Sequence, residues 1–424
     1  MKIAVWHNLP SGGGKRALYY HVRGLVERGH TVEAWCPPTA DREYLPLGGL
    51  IAEHVVPLAW EERRPKSRLG NPAALYHNVV GKFEAVREHC LRCAEEINRG
   101  GFDLLFAGSC MLTRVAPIGD AVEMPSVVYL QEPYRYLYEA GGGGLPWIAP
   151  ARGGSLWSPK PLAVFARDLA RLQGLRVSAR EELRGARGFD AILVNSYFSR
   201  ESVLRAYGLD AKVCYLGIDT ETFADAGRER ENFVVGVGAF VPEKNVRLVI
   251  EALALVGGAR PRLVWVGNVG EPSYLEELKQ RARAAGVEFE PRLRVADAEL
   301  VELLGRAKMM VYAPRLEPFG FAPLEANACG LPVVGVREGG LRETVVDGTT
   351  GLLVDGDPSE LAAAIERLIE DEEYARRLGE NGRRLVAERW SLAASIDRLE
   401  ERLAEVIGAA RGESRRPSDD GTAI

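Results

Sequence analysis

The chain of 424 residues holds no run of 18 apolar residues, so nothing in it reads as a membrane span. Its opening, "MKIAVWHNLPSGGG", lacks both a long apolar stretch and a small-residue cleavage site, which sets aside a secretory signal. Cysteine is sparse. Cys36, Cys90, Cys93, Cys110, Cys214 and Cys329 are scattered rather than framed as a disulfide scaffold, and a reducing cytoplasm is the simpler expectation. The "CLRC" pair at Cys90 has no second pair to complete a zinc site and lies in a helical pattern. Positive charge is not in excess, with 54 Lys and Arg facing 59 Asp and Glu. No basic platform interleaved with aromatics stands out, so nucleic acid is not an expected partner.

The charge is uneven along the chain. Residues 1–218 hold 27 Lys and Arg against 22 Asp and Glu, and the remainder 27 against 37. A basic first half suits an anionic phospholipid leaflet and a peripheral place at the inner membrane face. Solvated charge on ordinary helices accounts for it equally.

What the chain has is alternation. "MKIAVWHNLP", "TVEAWCP", "FDLLFAG", "PSVVYLQEP" and "FDAILVNS" are short apolar strand candidates with helical stretches between them. "FVVGVGAF", "RLVWVGN", "KMMVYAP" and "LPVVGV" repeat the pattern in the second half. Strands apolar on both faces, separated by helices, predict an α/β fold of two doubly wound parallel-sheet halves. The boundary is expected in "GIDTETFADAGREREN". "PSELAAAIERLIEDEEYARRLGENGRRLVAE" reads as a long helix broken near Gly379, and residues 411–424 as a disordered polar tail. Ligands of such sheets sit at the carboxyl ends of the strands, which places the expected site in a cleft between the halves.

"PRLEPFGFAPLEANACGLPVV" sets Glu317 and Glu325 eight residues apart. Pro318 and Gly320 forbid a regular helix through the first part, Pro323 suits a first helical turn, and Gly330 and Pro332 end it. Glu317 is therefore expected on a loop and Glu325 in the first turn of a short helix. The N–H groups of Gly320, Phe321 and Ala322 would face along the helix dipole as a phosphate cradle. A carboxylate on each side accepts from hydroxyls, which fits a sugar on one side of a diphosphate and a ribose on the other. A capped helix with a structural loop remains the alternative.

With "VGAFVPEKNVRLVIEAL", "GGLRETVVDGTTGLLV", "FDAILVNSYFSRESVLRAYGLDAKVCYLGIDTETF" and "SGGGKRALYYHVRGLVERGHTVEAW", this stretch resembles the retaining glycosyltransferases of family four, the glycosyl transferases group 1 family. The resemblance implies the GT-B fold, two Rossmann-like domains facing a central cleft. Residues 1–218 would bind the acceptor, 219–390 the nucleotide sugar, and 391–410 would be a helix crossing back. It implies catalytic roles for Glu317, Lys244 and Gly13. Glu317 would hold the donor sugar hydroxyls and Lys244 the departing diphosphate. Glu325 would take the ribose diol, and Gly320, Phe321 and Ala322, beside Phe319, the distal phosphate. Gly12, Gly13 and Gly14 would admit the donor close to the backbone. Gln131, Tyr134 and Arg135 fall on the acceptor side.

Two departures stand out. The arginine usual a few residues before the lysine is replaced by Ala239, so either Lys15 or Arg16 supplies a second cation or charge stabilisation is weaker. The usual histidine is replaced by Gln131, which cannot take a proton at neutral pH. That suits a front-face substitution in which the departing phosphate accepts the acceptor's proton. No cofactor and no metal is implied, lysine and helix dipoles standing in for a cation. The expected function is hexosyl transfer from a nucleotide diphosphate sugar, GDP-mannose before UDP-hexose, to a hydroxyl of a glycan or lipid-linked acceptor in cell-surface polysaccharide or glycolipid synthesis. The rivals are a nucleotide-sugar epimerase on the same fold and a catalytically degenerate sugar-nucleotide binder. Two further features are left open: the basic run "EERRPKSRLG" at Glu61 as solvated loop or binding patch, and the aromatic-rich segment around Gly141–Gly144 as loop packing or a sugar- or membrane-facing surface.

Overall fold

The structure is a computed structural model and describes residues 1–63, 74, 76–139 and 159–413. The segment around Gly141–Gly144, most of the basic run after Glu61 and the tail from 414 lie outside the described residues. The chain forms two compact units. One holds Met1–Val194, Arg200–Cys214 and the chain from Arg398; the other holds Asn195–Ser199 and Tyr215–Asp397. The helix Leu392–Glu413 is divided between them at Arg398.

The first unit carries seven strands: β1 (Lys2–Asn8), β2 (Thr31–Cys36), β3 (Ala52–Val55), β4 (Leu104–Cys110), β5 (Ser126–Tyr129), β6 (Ala191–Val194) and β7 (Lys212–Val213). Their order is β3-β2-β1-β4-β5-β6-β7, parallel throughout. β4 is buried along its whole length, which is why it reads as a continuous apolar run rather than an alternation. Helix Lys82–Arg99 lays Val86, Cys90, Cys93 and Ile97 into the core beside Trp6 and Trp35. All six cysteines are free and buried, so "CLRC" is core packing.

The second unit carries β8 (Phe233–Val237), β9 (Arg262–Gly267), β10 (Phe289–Leu293), β11 (Met309–Tyr312), β12 (Val333–Val336) and β13 (Gly351–Val354), in the order β10-β9-β8-β11-β12-β13 and again parallel. In each sheet the strand order reverses once, between β1 and β4 in the first and β8 and β11 in the second. In open parallel sheets such a point of reversal is where ligands sit. Among the described residues no helix is long and apolar enough to cross a membrane.

The expected break near Gly379 falls elsewhere. Two helices, Pro358–Glu370 and Glu372–Arg389, meet at Asp371, whose carboxylate accepts from Tyr374 N at 2.8 Å and starts the second. Gly379 lies inside that second helix. A β-carbon there would stand 2.1 Å from the Gly330 carbonyl oxygen, so the glycine permits contact between the helix and the turn after Ala328.

Gly379→Ala sets two effects against each other. Alanine gains about 1 kcal/mol of helix propensity. Forcing two backbones apart costs about 3 kcal/mol, the upper end for overpacking, because neither carbonyl nor helix can rotate aside. The expected net is a loss of about 2 kcal/mol, seen as a lower urea midpoint; an unchanged or raised midpoint would show that the contact is soft.

Candidate active site

In the second unit the chain leaves β8 through Gly238–Val241 and a short turn, Pro242–Lys244, before helix Val246–Leu255. The Trp265 indole holds the Gly238 carbonyl at 2.8 Å, and the Lys244 stem runs over Gly238. From the neighbouring β11 the chain passes Leu316, in the left-handed region at φ 50°, to Glu317. Such strain costs a non-glycine residue about 1–3 kcal/mol. It is held by Arg315 N donating to the Glu243 carbonyl at 2.9 Å and Leu316 N donating to Glu338 Oε2 at 3.2 Å. Lys244 Nζ then meets Glu317 Oε2 at 2.6 Å, with both side chains partly open to solvent. Residues 73 positions apart are thus joined across the point where the sheet order reverses.

Gly320, at φ 92°, turns the chain into helix Phe321–Ala328, which has no side-chain cap. The helix begins two residues before Pro323, so Glu325 falls in its second turn rather than its first. It is 4% exposed. Tyr312, at the end of β11, carries no signal in the sequence. Its buried hydroxyl hydrogen-bonds Glu317, and burial with the Glu317 charge pushes its pKa well up, keeping it protonated. Cys329 is likewise pushed up to about 12, by burial first and the Glu325 charge second.

In the first unit, Gly12 (φ 135°) precedes helix Gly13–Glu27, and Gly13 and Gly14 form its first turn. A β-carbon on Gly14 would stand 3.6 Å from Gln131 Nε2, so the glycine loop and the expected acceptor-side residue do come together. Gln131 Oε1 accepts from the Ser109 hydroxyl. Both line a pocket of about 470 Å³ that also takes in Lys82, Arg114, Tyr134 and Glu182. Arg135 turns back to an ion pair with Glu132. Glu182, 2% exposed, accepts from Tyr134 N at 2.9 Å and from the Tyr207 hydroxyl, and burial raises its pKa. Neither Arg114 nor Glu182 carries a sequence signal, since loop and helix positions meet there only in space.

The two expected replacements for the missing cation differ in fate. Lys15 is 0% exposed, points into the first unit's interior, and its ammonium has no hydrogen-bond partner among the described residues. Burial lowers its pKa against the attraction of Glu53. Glu53 is already engaged by His7 Nε2 at 3.3 Å and Arg42 Nε at 3.0 Å, and its pKa is drawn down to about 2, chiefly by the His7 hydrogen bond. Lys15 therefore presents no charge outward. Arg16 donates to the Tyr44 hydroxyl at 3.0 Å. The sequence does contain one Asp-x-Asp, Asp355 and Asp357, and its second carboxylate is taken up locally. Asp357 caps helix Pro358–Glu370, accepting from Ser359 N at 2.8 Å and Glu360 N at 3.3 Å.

Residues 218–385 match the glycosyl transferases group 1 family. The chain is 31% identical over 206 residues to an alpha-1,3/1,6-mannosyltransferase, ALG2, of Rhizomucor pusillus, covering 41% of this chain and 45% of the relative. It is 32% identical over 238 residues to the GDP-mannose-dependent alpha-(1-6)-phosphatidylinositol monomannoside mannosyltransferase of Mycolicibacterium smegmatis, covering 51% and 62%. The chain thus spans about half the length of the curated relatives it matches. Among solved structures it is similar to Anabaena HepE in complex with UDP-glucose, at 22% identity and a TM-score of 0.64 over 96% of this chain and 100% of that one. The fold is GT-B.

Lys15→Met tests the buried ammonium. The folded pKa lies below the unfolded one, so the folded state takes up the proton less readily, and the lysine costs stability at every pH below its unfolded value. Removing it while Glu53 keeps His7 and Arg42 is expected to raise stability at pH 7 by about 1 kcal/mol or more. UDP and GDP affinity should stay unchanged. Urea denaturation and nucleotide titration read the two outcomes; weaker nucleotide binding would return Lys15 to the donor site.

Proposed function

We propose that this chain, of the glycosyl transferases group 1 family through residues 218–385, is a retaining, metal-independent hexosyltransferase. It moves a hexose from a nucleotide diphosphate sugar to a hydroxyl of a glycan or lipid-linked acceptor in cell-surface polysaccharide or glycolipid synthesis, at the inner membrane face. The observation that carries the reading is the 2.6 Å pair between Lys244 and Glu317. In a nucleotide sugar, the hydroxyl-bearing ring is joined to the diphosphate through the single anomeric C–O bond. A carboxylate for the first and an ammonium for the second must be neighbours, as these are.

Residues 219–390 hold the donor in this reading. Glu317 takes sugar hydroxyls, Glu325 the ribose diol, and the amides of Gly320, Phe321 and Ala322 at the uncapped start of helix Phe321–Ala328 take the distal phosphate. Lys244 neutralises the charge that grows as the glycosidic bond breaks. Residues 1–218 hold the acceptor, with Gly12, Gly13 and Gly14 admitting the donor and Gln131, Tyr134 and Arg135 on the acceptor side. Gln131 has no basic atom for the acceptor's proton, so the leaving phosphate receives it as the new bond forms on the same face. The mannosyltransferase relatives favour GDP-mannose, and the UDP-glucose complex of the structural neighbour puts UDP-hexose next.

A thermal-shift panel of nucleotide sugars followed by transfer assays tests the whole reading. Turnover only with an acceptor supports it, turnover without one makes the chain an epimerase, and binding without turnover makes it a sensor. Glu325→Ala is expected to weaken UDP and GDP alike by about tenfold to a hundredfold, the worth of one charge-assisted hydrogen bond. Unchanged affinity for the free nucleotides removes Glu325 from the ribose site.

Lys244→Ala separates binding from chemistry. The expected loss is about 10²-fold in kcat or more, with a smaller change in the donor KM, because the cation matters most once charge has moved to the diphosphate. A fall below tenfold would show that another cation stabilises the leaving group.

A further inference from the structure

We propose that the first unit binds one zinc-class divalent ion between His7, Cys36 and Glu53, with the Lys15 amine closing the fourth position. The inference stands apart from the donor reading, since these residues lie in the first unit and the proposed diphosphate ligands in the second. Three neighbouring strands carry the ligands: His7 on β1, Cys36 on β2 and Glu53 on β3. The parallel register puts them on one face. Val5 pairs with Ala34 and Ala34 with Glu53, while His7 and Cys36 lie two residues further along their strands. One ligand atom of each residue lies within 4.8 Å of those of the other two. His7 Nε2 stands 3.3 Å from Glu53 Oε1. Bonds of about 2.0–2.3 Å to a tetrahedral zinc hold ligand atoms about 3.5 Å apart, so small side-chain movements close the three on an ion.

Two buried atoms in this cluster point to a missing partner. Neither Lys15 Nζ nor His7 Nδ1 makes a hydrogen bond among the described residues, and both residues are 0% exposed. Helix Gly13–Glu27 packs on β2 and carries Lys15 to the cluster, where Glu53 and then Cys36 attract its charge before any other group. A buried ammonium without an acceptor is costly, whereas a neutral amine is a metal ligand. Charge balance supports the exchange. Without metal, two cations, Lys15 and Arg42, surround the one Glu53 carboxylate. A divalent ion that bonds the Cys36 sulfur and the Lys15 nitrogen sends the thiol proton and one ammonium proton to solvent. The net charge of the cluster is then unchanged. Arg42 Nε keeps Glu53 Oε2 at 3.0 Å and orients the carboxylate, which leaves Oε1 for the ion. Thiolate and imidazole select zinc over magnesium or calcium. Such an ion pins the short edge strand β3 and the helix after the glycine loop to β1.

The test takes the full chain, freed of metal with a chelator and dialysed, and titrates it with cobalt(II), a spectroscopic stand-in for zinc. One equivalent is expected to give a cobalt–thiolate charge-transfer band and the intense visible bands of tetrahedral cobalt, both erased by zinc. Binding at pH 7 should release about two protons per ion from wild type and about one from Lys15→Met. Cys36→Ser and His7→Gln should each weaken zinc binding about 100-fold or more, beyond the usual loss of an outer-sphere partner. Zinc is expected to raise the Tm of wild type and to leave that of both variants unchanged. No thiolate band in wild type, or a band and a Tm rise that survive Cys36→Ser, overturns the proposal. Equal proton release from wild type and Lys15→Met overturns the place given to Lys15. If His7→Gln does not fold, Cys36→Ser, the smaller change, decides. Failure of UDP and GDP to bind would sink the donor reading without touching this one.

Discussion

The second unit's site depends on a contact from which side chains are excluded. The loop after β12 lies directly on the loop after β11. Gly340 N donates to the Glu317 carbonyl at 2.7 Å, and a β-carbon on Gly339 would stand 2.4 Å from that same oxygen. One on Gly340 would stand 2.2 Å from the Pro318 carbonyl oxygen. On its other side the β11 loop is tied to the β8 loop through Arg315 N and the Glu243 carbonyl. Three successive crossovers are thus locked backbone to backbone. Glu317 has little freedom left, and the strain at Leu316 persists because both neighbours determine it. A carboxylate placed this way keeps its geometry when its ion-pair partner turns to a ligand, which is what preorganised electrostatics require.

That constraint explains which parts of the molecule could be read in advance. Central strands buried on both faces announce themselves as apolar runs, and the alternation with helices gives the doubly wound plan. Three of the four edge strands, Ala52–Val55, Lys212–Val213 and Phe289–Leu293, do not, because each is short and half-polar, and the last contains Pro291. Gly339 and Gly340 belong to a recognisable motif, yet their reason is a tertiary close approach that no local pattern carries. Gly379 misleads for the same reason. It looks like a helix breaker and is a packing position, while the break is set by the capping Asp371.

Site residues divide along the same line. Glu317, Glu325 and the helix start at Gly320 follow from spacing and from proline and glycine chemistry. Lys244 could be paired with them only through the resemblance, since its partner lies 73 residues away. Tyr312 and Arg114 were hidden, because a strand terminus and a loop look alike until the fold places them. Lys15 shows the converse. A lysine in a glycine loop suggests a phosphate ligand, but the helix that starts at Gly13 points this one inward.

The two switch points also divide the chemistry. The second unit offers a cation and a helix start, suited to an anion that gains charge, beside carboxylates suited to hydroxyls. The first unit's pocket is lined by no histidine. His7 and His21 are buried, and burial lowers the pKa of both, His21 to about 3, so neither carries a proton at neutral pH or reaches one outside. Gln131 stands beside the glycine loop without a titratable atom. Glu182 has a raised pKa, but its Oε1 is committed to the Tyr134 amide and the Tyr207 hydroxyl, which hold the pocket wall in place. A transferase built on these parts gathers its charge stabilisation on the donor side, and there the growing negative charge on the leaving phosphate is the strongest proton acceptor available. Under the proposed retaining reading, no protein nucleophile is needed. That reading asks only that the acceptor hydroxyl approach the reacting carbon on the face the phosphate leaves, where the phosphate itself can take the proton.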